Sequence, residues 1–202
     1  MNKAFNPRAL MELAIKVMRQ TVPEPRTDGK LSPRVGAVLF KPDGTVETAC
    51  RGELRHGDHA EFTLLERKNR DRQLEGSILF ATLEPCAPDS RRPPKLSCAQ
   101  RIVLARIKEV WVGIEDPDPM VDRKGIKYLQ DSGVKINMFD RDLQEIIQSE
   151  NKRFISQAME RVKRARVASF LGRGLGRRLT DDEIDALLRS PQGHHVVGMM
   201  RH

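Results

Sequence analysis

Four side chains in two short segments of this sequence have the types and the spacing needed for hydrolysis at a metal ion. His59 and Glu61 stand two positions apart, and Cys86 follows a Leu-Glu-Pro run, with Cys98 twelve positions later. Catalytic zinc sites commonly take three protein ligands and leave the fourth position to water, and one histidine with two cysteines supplies three. Zinc lowers the pKa of such a water from about 16 to about 7, so a hydroxide is available near neutral pH.

The carboxylate of Glu61 is the predicted proton carrier. Hydrolytic release of an amine needs a base beside the water, and a residue two positions after His59, at the start of a helix, can reach that water without being a ligand. We therefore predict His59, Cys86 and Cys98 as ligands of Zn²⁺. We predict that Glu61 takes the water's proton and delivers it to the ring nitrogen and the leaving ammonia. If the cysteines open a helix, the positive end of its dipole favours their thiolate forms.

The order of these residues along the chain makes the pattern specific. His-x-Glu alone is common, and free cysteines are often small buried side chains. Zinc-dependent deaminases combine H-x-E with P-C-x-x-C, and here His59 opens a predicted helix while Cys86 follows the next predicted strand. Eleven residues rather than two separate Cys86 from Cys98, but the cost of loop closure grows slowly with length, so both sulfurs can reach one ion. Cys50 is interpreted as a core residue, and His56 and Asp58 as parts of a solvated loop.

An alternation of strands and helices is predicted to position these residues. Asn6-Pro7 predicts a helix start, and a loop rich in Pro, Asp and Gly follows at 21–33. Hydrophobic periodicity then predicts strands at 35–40, 45–50, 77–83, 109–114 and 134–138, and helices at 59–68, 98–107, 121–132 and from Asp140 past Phe154. This order predicts an α/β fold, a three-layer α/β/α sandwich around a mixed five-stranded sheet.

The C-terminal part of the chain differs in charge from the rest. Residues 151–178 carry nine Lys and Arg side chains and one Glu, so this stretch accounts for the net charge of +8. The glycines and arginines of 168–178 predict a linker. Thr180 begins a capping box that predicts a helix at 181–189.

Composition bounds the class of protein. Hydrophobic residues make up 39% of the 202 residues and charged residues 32%, which is typical of a globular chain. No apolar run approaches the roughly 20 residues of a membrane helix, and the N-terminus has no signal-peptide pattern, so we expect a cytoplasmic protein with no membrane partner. Three cysteines without a secretory signal argue against a disulfide scaffold. We expect a zinc deaminase domain in residues 1–160, and a basic linker with a short helical extension in residues 161–202.

Residues 8–155 resemble the deaminase domain of bacterial riboflavin-biosynthesis proteins, a branch of the cytidine-deaminase-like fold. The resemblance is carried, in order, by SPRVGAVLF, HAE, ATLEPC, RRPP, EVWVGIEDPDP with Gly125, and NKRF. It places the family's metal ligands on His59, Cys86 and Cys98. It places the catalytic glutamate on Glu61, and it implies deamination of a diaminopyrimidine ribosyl phosphate. We expect no reductase domain, which usually follows in that family, because the chain has no room for one.

The residues that the resemblance assigns to substrate binding depart from the family pattern. Ser32 replaces an asparagine, Gly52 a histidine, and Asp118 an asparagine. A carboxylate at Asp118, where the family holds a phosphorylated ribose, disfavours that substrate by like-charge repulsion unless Arg91 or Arg92 offsets it. Guanidinium groups on this loop could bind an anion bidentately. The predicted substrate-binding residues are Ser32, Arg34, Arg91, Arg92, Asp116 and Asp118.

Three classes of function are compatible with the sequence. The leading hypothesis is a zinc aminohydrolase that acts on a small base, nucleoside or nucleotide-like amine other than the riboflavin intermediate. The riboflavin intermediate is the alternative substrate. We expect the enzyme to be a homo-oligomer. A second hypothesis is nucleic-acid binding or editing through the basic residues 152–178. Phe154 and Phe170 are too few aromatics there for a stacking platform, so a solvated helix face and linker is the favoured interpretation. A catalytically inactive scaffold is the third, and the retention of all four chemical residues argues against it.

Overall fold

A computed structural model describes residues 5–88, 90–91, 94–117, 123–175 and 177–190. The chain divides into two compact units, the first ending at Phe154 and the second beginning at Ile155. No helix within the described residues combines the length and the apolar character needed to cross a membrane.

The first unit follows the predicted alternation, with ends that differ by a few residues. Its strands are β1 (Gly36–Phe40), β2 (Val46–Cys50), β3 (Ile78–Leu83), β4 (Glu109–Ile114) and β5 (Lys135–Met138). Its helices are α1 (Pro7–Met18), α2 (Ala60–Phe62, continuing as a π-helical segment over Thr63–Lys68), α3 (Cys98–Leu104), α4 (Lys124–Asp131) and α5 (Arg141–Glu150). Helix α6 (Lys152–Leu175) begins in this unit and continues into the second, which also contains α7 (Asp181–Arg189).

The five strands form one mixed sheet in the order β2-β1-β3-β4-β5, which confirms the predicted fold class. Strand β1 is antiparallel to both of its neighbours, whereas β3, β4 and β5 are parallel to one another. Helices α1 and α5 contact each other and pack on the sheet, while α2, α3 and α4 contact one another in sequence. Two helical layers therefore enclose the sheet, whose central strands β1, β3 and β4 are almost wholly buried.

Helix α1 begins where the sequence predicts. The side chain of Asn6 accepts a 3.1 Å hydrogen bond from the backbone N–H of Ala9, and Pro7 occupies the first helical position, where its missing N–H costs nothing. One face of the helix, with Leu10, Met11, Ala14, Ile15, Val17 and Met18, is buried.

The long helix predicted from Asp140 past Phe154 is two helices, so this prediction is wrong. Asn151 ends α5 with φ −103° and ψ 11°. Its buried side-chain amide accepts a 2.8 Å hydrogen bond from the N–H of Arg34 and donates a 3.2 Å bond to the carbonyl of Arg34. This pairing with a distant loop favours the break, and no local signal encodes it.

The linker predicted at 168–178 is also wrong for most of its length, because α6 continues to Leu175. In the second unit Val167 is buried against Ile184 and Leu188 of α7. Such packing stabilises the part of α6 that precedes the glycines. The capping box of α7 is confirmed, since the hydroxyl of Thr180 accepts a bond from the N–H of Glu183 and the carboxylate of Glu183 accepts one in return. The boundary predicted near residue 160 stays a prediction.

Candidate active site

His59, Cys86 and Cys98 come together at the ends of three elements of the first unit. His59 lies immediately before α2 in an extended conformation, Cys86 lies in the loop after β3, and Cys98 is the first residue of α3. One ligand atom from each residue lies within 4.8 Å of the others, and Nδ1 of His59 is 3.4 Å from Sγ of Cys98. The longer loop between the cysteines therefore still brings both sulfurs to one place.

The start of α3 organises the two thiols. The backbone N–H of Cys98 donates a 3.1 Å hydrogen bond to Sγ of Cys86, and Ser97 caps the helix with a capping box to Gln100. Hydrogen bonding to the Cys98 thiol holds the pKa of Cys86 well below its usual range, and the same bond raises the pKa of Cys98. A divalent cation bound to both sulfurs would displace the thiol protons. Two sulfurs and one imidazole nitrogen are a donor set that suits zinc, so the residues fit the predicted ion.

Glu61 lies beside these ligands in the first turn of α2 and is only 3% exposed. Burial raises the pKa of its carboxyl group, because removal from water disfavours the charged form. A carboxyl group in this position is able to hold and release a proton next to the metal ligands.

A cavity of about 370 Å³ opens onto His59 and Cys98 and carries many charges. Its basic lining residues are Arg55, His56, Arg67, Arg91, Lys95 and Arg101, and its acidic lining residues are Glu24 and Asp58. No ion pair or side-chain hydrogen bond joins Arg55, Arg91 or Lys95 to another described residue. These three cations are therefore available to a ligand.

Two of the cavity's arginines are held in place around Phe62, which follows Glu61 on α2. The guanidinium carbons of Arg67 and Arg101 lie over the Phe62 ring, 5.2 and 4.9 Å from its centroid. Arg67 also pairs with Asp58 at 3.2 Å, and Arg101 pairs with Glu66 at 3.0 Å. This wall of the cavity is therefore prearranged.

Of the predicted substrate-binding residues that the structure describes, Arg91 alone lies directly on the cavity. Arg91 lines it, as expected. Arg34 is exposed and Asp116 donates its backbone N–H to Glu84, and neither is among the described lining residues. Arg92 and Asp118 lie outside the described residues.

Three further residues near the site were interpreted from the sequence. His56 and Asp58 lie on the loop before α2, where His56 is exposed, and both residues also line the cavity. Cys50 is buried at the end of β2, as interpreted. Ser32 does not line the cavity itself, but its hydroxyl donates a 3.1 Å hydrogen bond to Glu24, which does.

Sequence reasoning missed two acidic residues that shape the site. Glu24 lines the cavity from the loop after α1, and its only local signal is its position between Pro23 and Pro25. Glu84 is buried between β3 and Cys86, and its carboxylate accepts backbone N–H bonds of 2.9–3.0 Å from Asp116, Gly125 and Ile126. Glu84 therefore ties the ligand loop to the start of α4.

Fold and site together define a zinc-binding deaminase domain: a mixed five-stranded sheet between helical layers, with a His-Cys-Cys cluster, two members of which line a cavity, and a buried glutamate beside that cluster. The chain belongs to the family described as the cytidine and deoxycytidylate deaminase zinc-binding region, whose family model matches residues 6–114.

Similar proteins of known name come from riboflavin biosynthesis. The riboflavin biosynthesis protein RibD of Bacillus amyloliquefaciens is 34% identical over 127 residues, which cover 62% of this chain and 30% of that protein. The diaminohydroxyphosphoribosylamino-pyrimidine deaminase of Schizosaccharomyces pombe is 31% identical over 137 residues, 66% of this chain and 32% of that protein. The chain thus spans about a third of the length of the curated relatives it matches.

A solved structure supports the same fold. The diaminohydroxyphosphoribosylaminopyrimidine deaminase/5-amino-6-(5-phosphoribosylamino)uracil reductase of Thermotoga maritima has a TM-score of 0.62 and 25% sequence identity. The similarity covers 76% of this chain and 41% of that one.

Proposed function

We propose that this chain catalyses the zinc-dependent hydrolytic release of ammonia from a ring amine of a small, phosphate-bearing base or nucleotide-like compound. The observation that carries the proposal is the cavity onto which His59 and Cys98 open, with the free cations of Arg55, Arg91 and Lys95 on its walls. A deaminase of an anionic substrate requires metal ligands, an acid beside them, and cations that have no ion-pair partner among the described residues of the cavity.

The residues of this chain divide the chemistry among them. His59, Cys86 and Cys98 would hold the zinc ion, which would supply an activated water as the nucleophile. Glu61 takes one proton of the attacking water while the water oxygen forms a bond to the amine-bearing ring carbon, and it passes this proton to the ring nitrogen. It then carries the remaining proton of that oxygen to the amine, so that the C–N bond breaks, ammonia leaves and a ring carbonyl remains. Its buried position and raised pKa suit a group that must be protonated and deprotonated in turn.

The cations of Arg55, Arg91 and Lys95 are the reason for proposing an anionic substrate. Arg91 and Lys95 both lie on the loop between the two cysteines, and both line the cavity. A guanidinium can bind a phosphate through two parallel hydrogen bonds. Arg55, on the loop before His59, adds a third charge.

The diaminopyrimidine ribosyl phosphate of riboflavin biosynthesis is the alternative substrate. Relatives named for that pathway and that deaminase favour it. The replacement of the family's asparagine and histidine by Ser32 and Gly52 favours a different ring. We therefore keep the expectation that the riboflavin intermediate is turned over slowly.

Nucleic-acid binding through residues 152–178 receives no support from the comparisons. Part of the charge of this segment is neutralised within the second unit, where Arg164 pairs with Asp181 and Asp185, and Arg177 pairs with Glu183. A solvated helix face remains the favoured interpretation. Assembly into a homo-oligomer and a cytoplasmic location stay predictions.

The decisive experiment offers a panel of substrates to the zinc-loaded protein and measures ammonia. The panel contains the diaminopyrimidine ribosyl phosphate, cytosine and adenine nucleosides with their monophosphates, and single-stranded DNA and RNA. We expect a monophosphate to be turned over at least about tenfold better than its nucleoside, because only the phosphate engages the free cations. The proposal would be contradicted if no member of the panel released ammonia. Release from nucleic acid alone would instead support the hypothesis of nucleic-acid editing.

A further inference from the structure

Of the two carboxylate oxygens of Glu24, one has hydrogen-bond partners among the described residues and the other has none. Its Oε2 accepts hydrogen bonds from the guanidinium of Arg51 at 3.0 Å and the hydroxyl of Ser32 at 3.1 Å, and it lies 3.6 Å from Arg26. Its Oε1 accepts no hydrogen bond from a described residue, although Glu24 lines the cavity that contains His59. A carboxylate can accept several hydrogen bonds, so this oxygen has unused capacity.

The anchor of Glu24 is a buried cation. Arg51 is only 7% exposed, and Glu24 is its ion-pair partner among the described residues. Burial raises the pKa of Glu24, but the hydrogen bonds from Arg51 and Ser32 outweigh it and lower the pKa overall. The carboxylate is therefore charged and fixed in direction, because breaking its pair would leave Arg51 buried without a counter-charge.

Two glycines make room for the loop that carries Glu24. At Gly57 (φ +81°) a Cβ would lie 2.9 Å from Oε1 of Glu24, and at Gly52 (φ +78°) a Cβ would lie 2.7 Å from the carbonyl oxygen of Val22. Val22 also donates its N–H to the carbonyl of Arg51 at 3.0 Å. The loops before α2 and after α1 therefore fit together only with small residues at these two positions.

Gly52 stands where the riboflavin family presents a histidine, and Ser32, where that family presents an asparagine, is hydrogen-bonded to Glu24. Both departures thus lie at the contacts that hold the Glu24 loop. We propose that Glu24 determines specificity by accepting, through Oε1, a hydrogen bond from an N–H or O–H donor of the substrate, while the free cations bind its anionic group. The role of Glu24 in the specificity of catalysis rests on the proposed function, whereas its role in ligand binding does not.

This assignment defines the substrate class more narrowly. The compound carries a phosphate and, besides the amine that leaves, a second amino, imino or hydroxyl donor. A fixed carboxylate repels an anion, so the phosphate is directed away from Glu24 towards Arg91, Lys95 and Arg55. An analogue without the second donor leaves a desolvated carboxylate oxygen unpaired, and sites of this kind reject such analogues strongly.

The test uses Glu24→Gln in the zinc-loaded full chain, in a Glu61→Gln background so that ligands are not consumed. The amide oxygen can keep the bonds to Arg51 and Ser32, which turns the NH₂ group towards the cavity and replaces an acceptor by a donor. Glu47→Gln is the matched control, because Glu47 is similarly half-buried and ion-paired, with Lys41, but does not line the cavity.

Calorimetric titrations with the diaminopyrimidine ribosyl phosphate, cytidine monophosphate and inorganic phosphate give the readout. We expect Glu24→Gln to weaken the binding of whichever ring compound binds more tightly by about tenfold or more. The affinity for inorganic phosphate should stay unchanged or increase, because a negative charge is gone. Glu47→Gln should change none of them. The inference is overturned if Glu24→Gln leaves the binding of the ring compounds unchanged, or if it weakens the binding of inorganic phosphate equally. It is also overturned if the protein with Glu24 intact binds phosphate but neither ring compound. If binding depends on Glu24 but the protein with Glu61 intact releases no ammonia, only the proposed function is refuted. If ammonia is released but binding does not depend on Glu24, only this inference is refuted.

Discussion

The backbone N–H of Cys98 donates a 3.1 Å hydrogen bond to the sulfur of Cys86, so the first turn of α3 holds both thiols. Twelve positions separate these cysteines along the chain, yet a single bond joins them in the fold. The helix start stabilises negative charge on sulfur. We therefore expect metal binding to stabilise the start of α3.

The first prediction concerns metal content. Wild-type protein should contain about one zinc per chain, and combined Cys86→Ala and Cys98→Ala should lose it, because only one of three ligands remains. Elemental analysis of the purified proteins measures this. Cys50→Ala is the control, since Cys50 is buried away from the site. Full zinc content in the double variant would contradict the ligand assignment.

The second prediction concerns Glu61. Glu61→Gln should retain zinc and the melting temperature but lose about 10²–10⁴-fold in kcat, because an amide cannot carry the proton. Ammonia release under saturating substrate measures the loss. Glu47→Gln should react at the wild-type rate, and a wild-type rate for Glu61→Gln would show that the proton takes another route.

The third prediction concerns the cations of the cavity. Arg91→Ala should raise KM for a phosphorylated substrate about tenfold with little change in kcat, since a phosphate contact remote from the reacting atoms contributes equally to ground-state and transition-state binding. KM for the matching nucleoside should stay constant. Arg141→Ala, an exposed arginine of α5, is the control. Equal losses for nucleoside and monophosphate would show that Arg91 does not bind the anion.

The fourth prediction concerns the riboflavin intermediate. With Ser32 and Gly52 in place of the family's amide and imidazole, we expect kcat/KM for the diaminopyrimidine ribosyl phosphate to fall below about 10⁴ M⁻¹s⁻¹. Steady-state kinetics of ammonia release tests this directly. A value in the ordinary range or above would make that compound the preferred substrate.

The fifth prediction concerns the contact between α4 and the ligand loop. A Cβ at Gly125 would lie 2.0 Å from the carbonyl oxygen of Pro85, next to Cys86. Gly125→Ala should therefore lower the free energy of unfolding by about 1–3 kcal/mol and speed zinc loss to a chelator, because the ligand loop must move. Lys124→Ala, at the exposed neighbouring position, should change neither quantity. Denaturant unfolding and chelator kinetics measure the two effects.

The sequence by itself predicted the zinc ligands, Glu61 as proton carrier and the alternation of strands and helices, because each prediction rests on short local motifs. His59 and Glu61 share one helix start, and Pro85-Cys86 ends a strand whose apolar run is visible without a structure. Hydrophobic alternation is likewise a local property.

Only the tertiary structure decided which side chains surround the reacting atoms. Glu24 reaches the cavity because Arg51, 27 positions away, is buried and needs its charge. Asn151 ends α5 because its amide pairs with Arg34, 117 positions away. Helix α6, whose buried Val167 packs against α7, continues to Leu175 through a glycine-rich stretch. Each outcome depends on burial and on pairing between distant segments, and neither quantity is a function of local spacing.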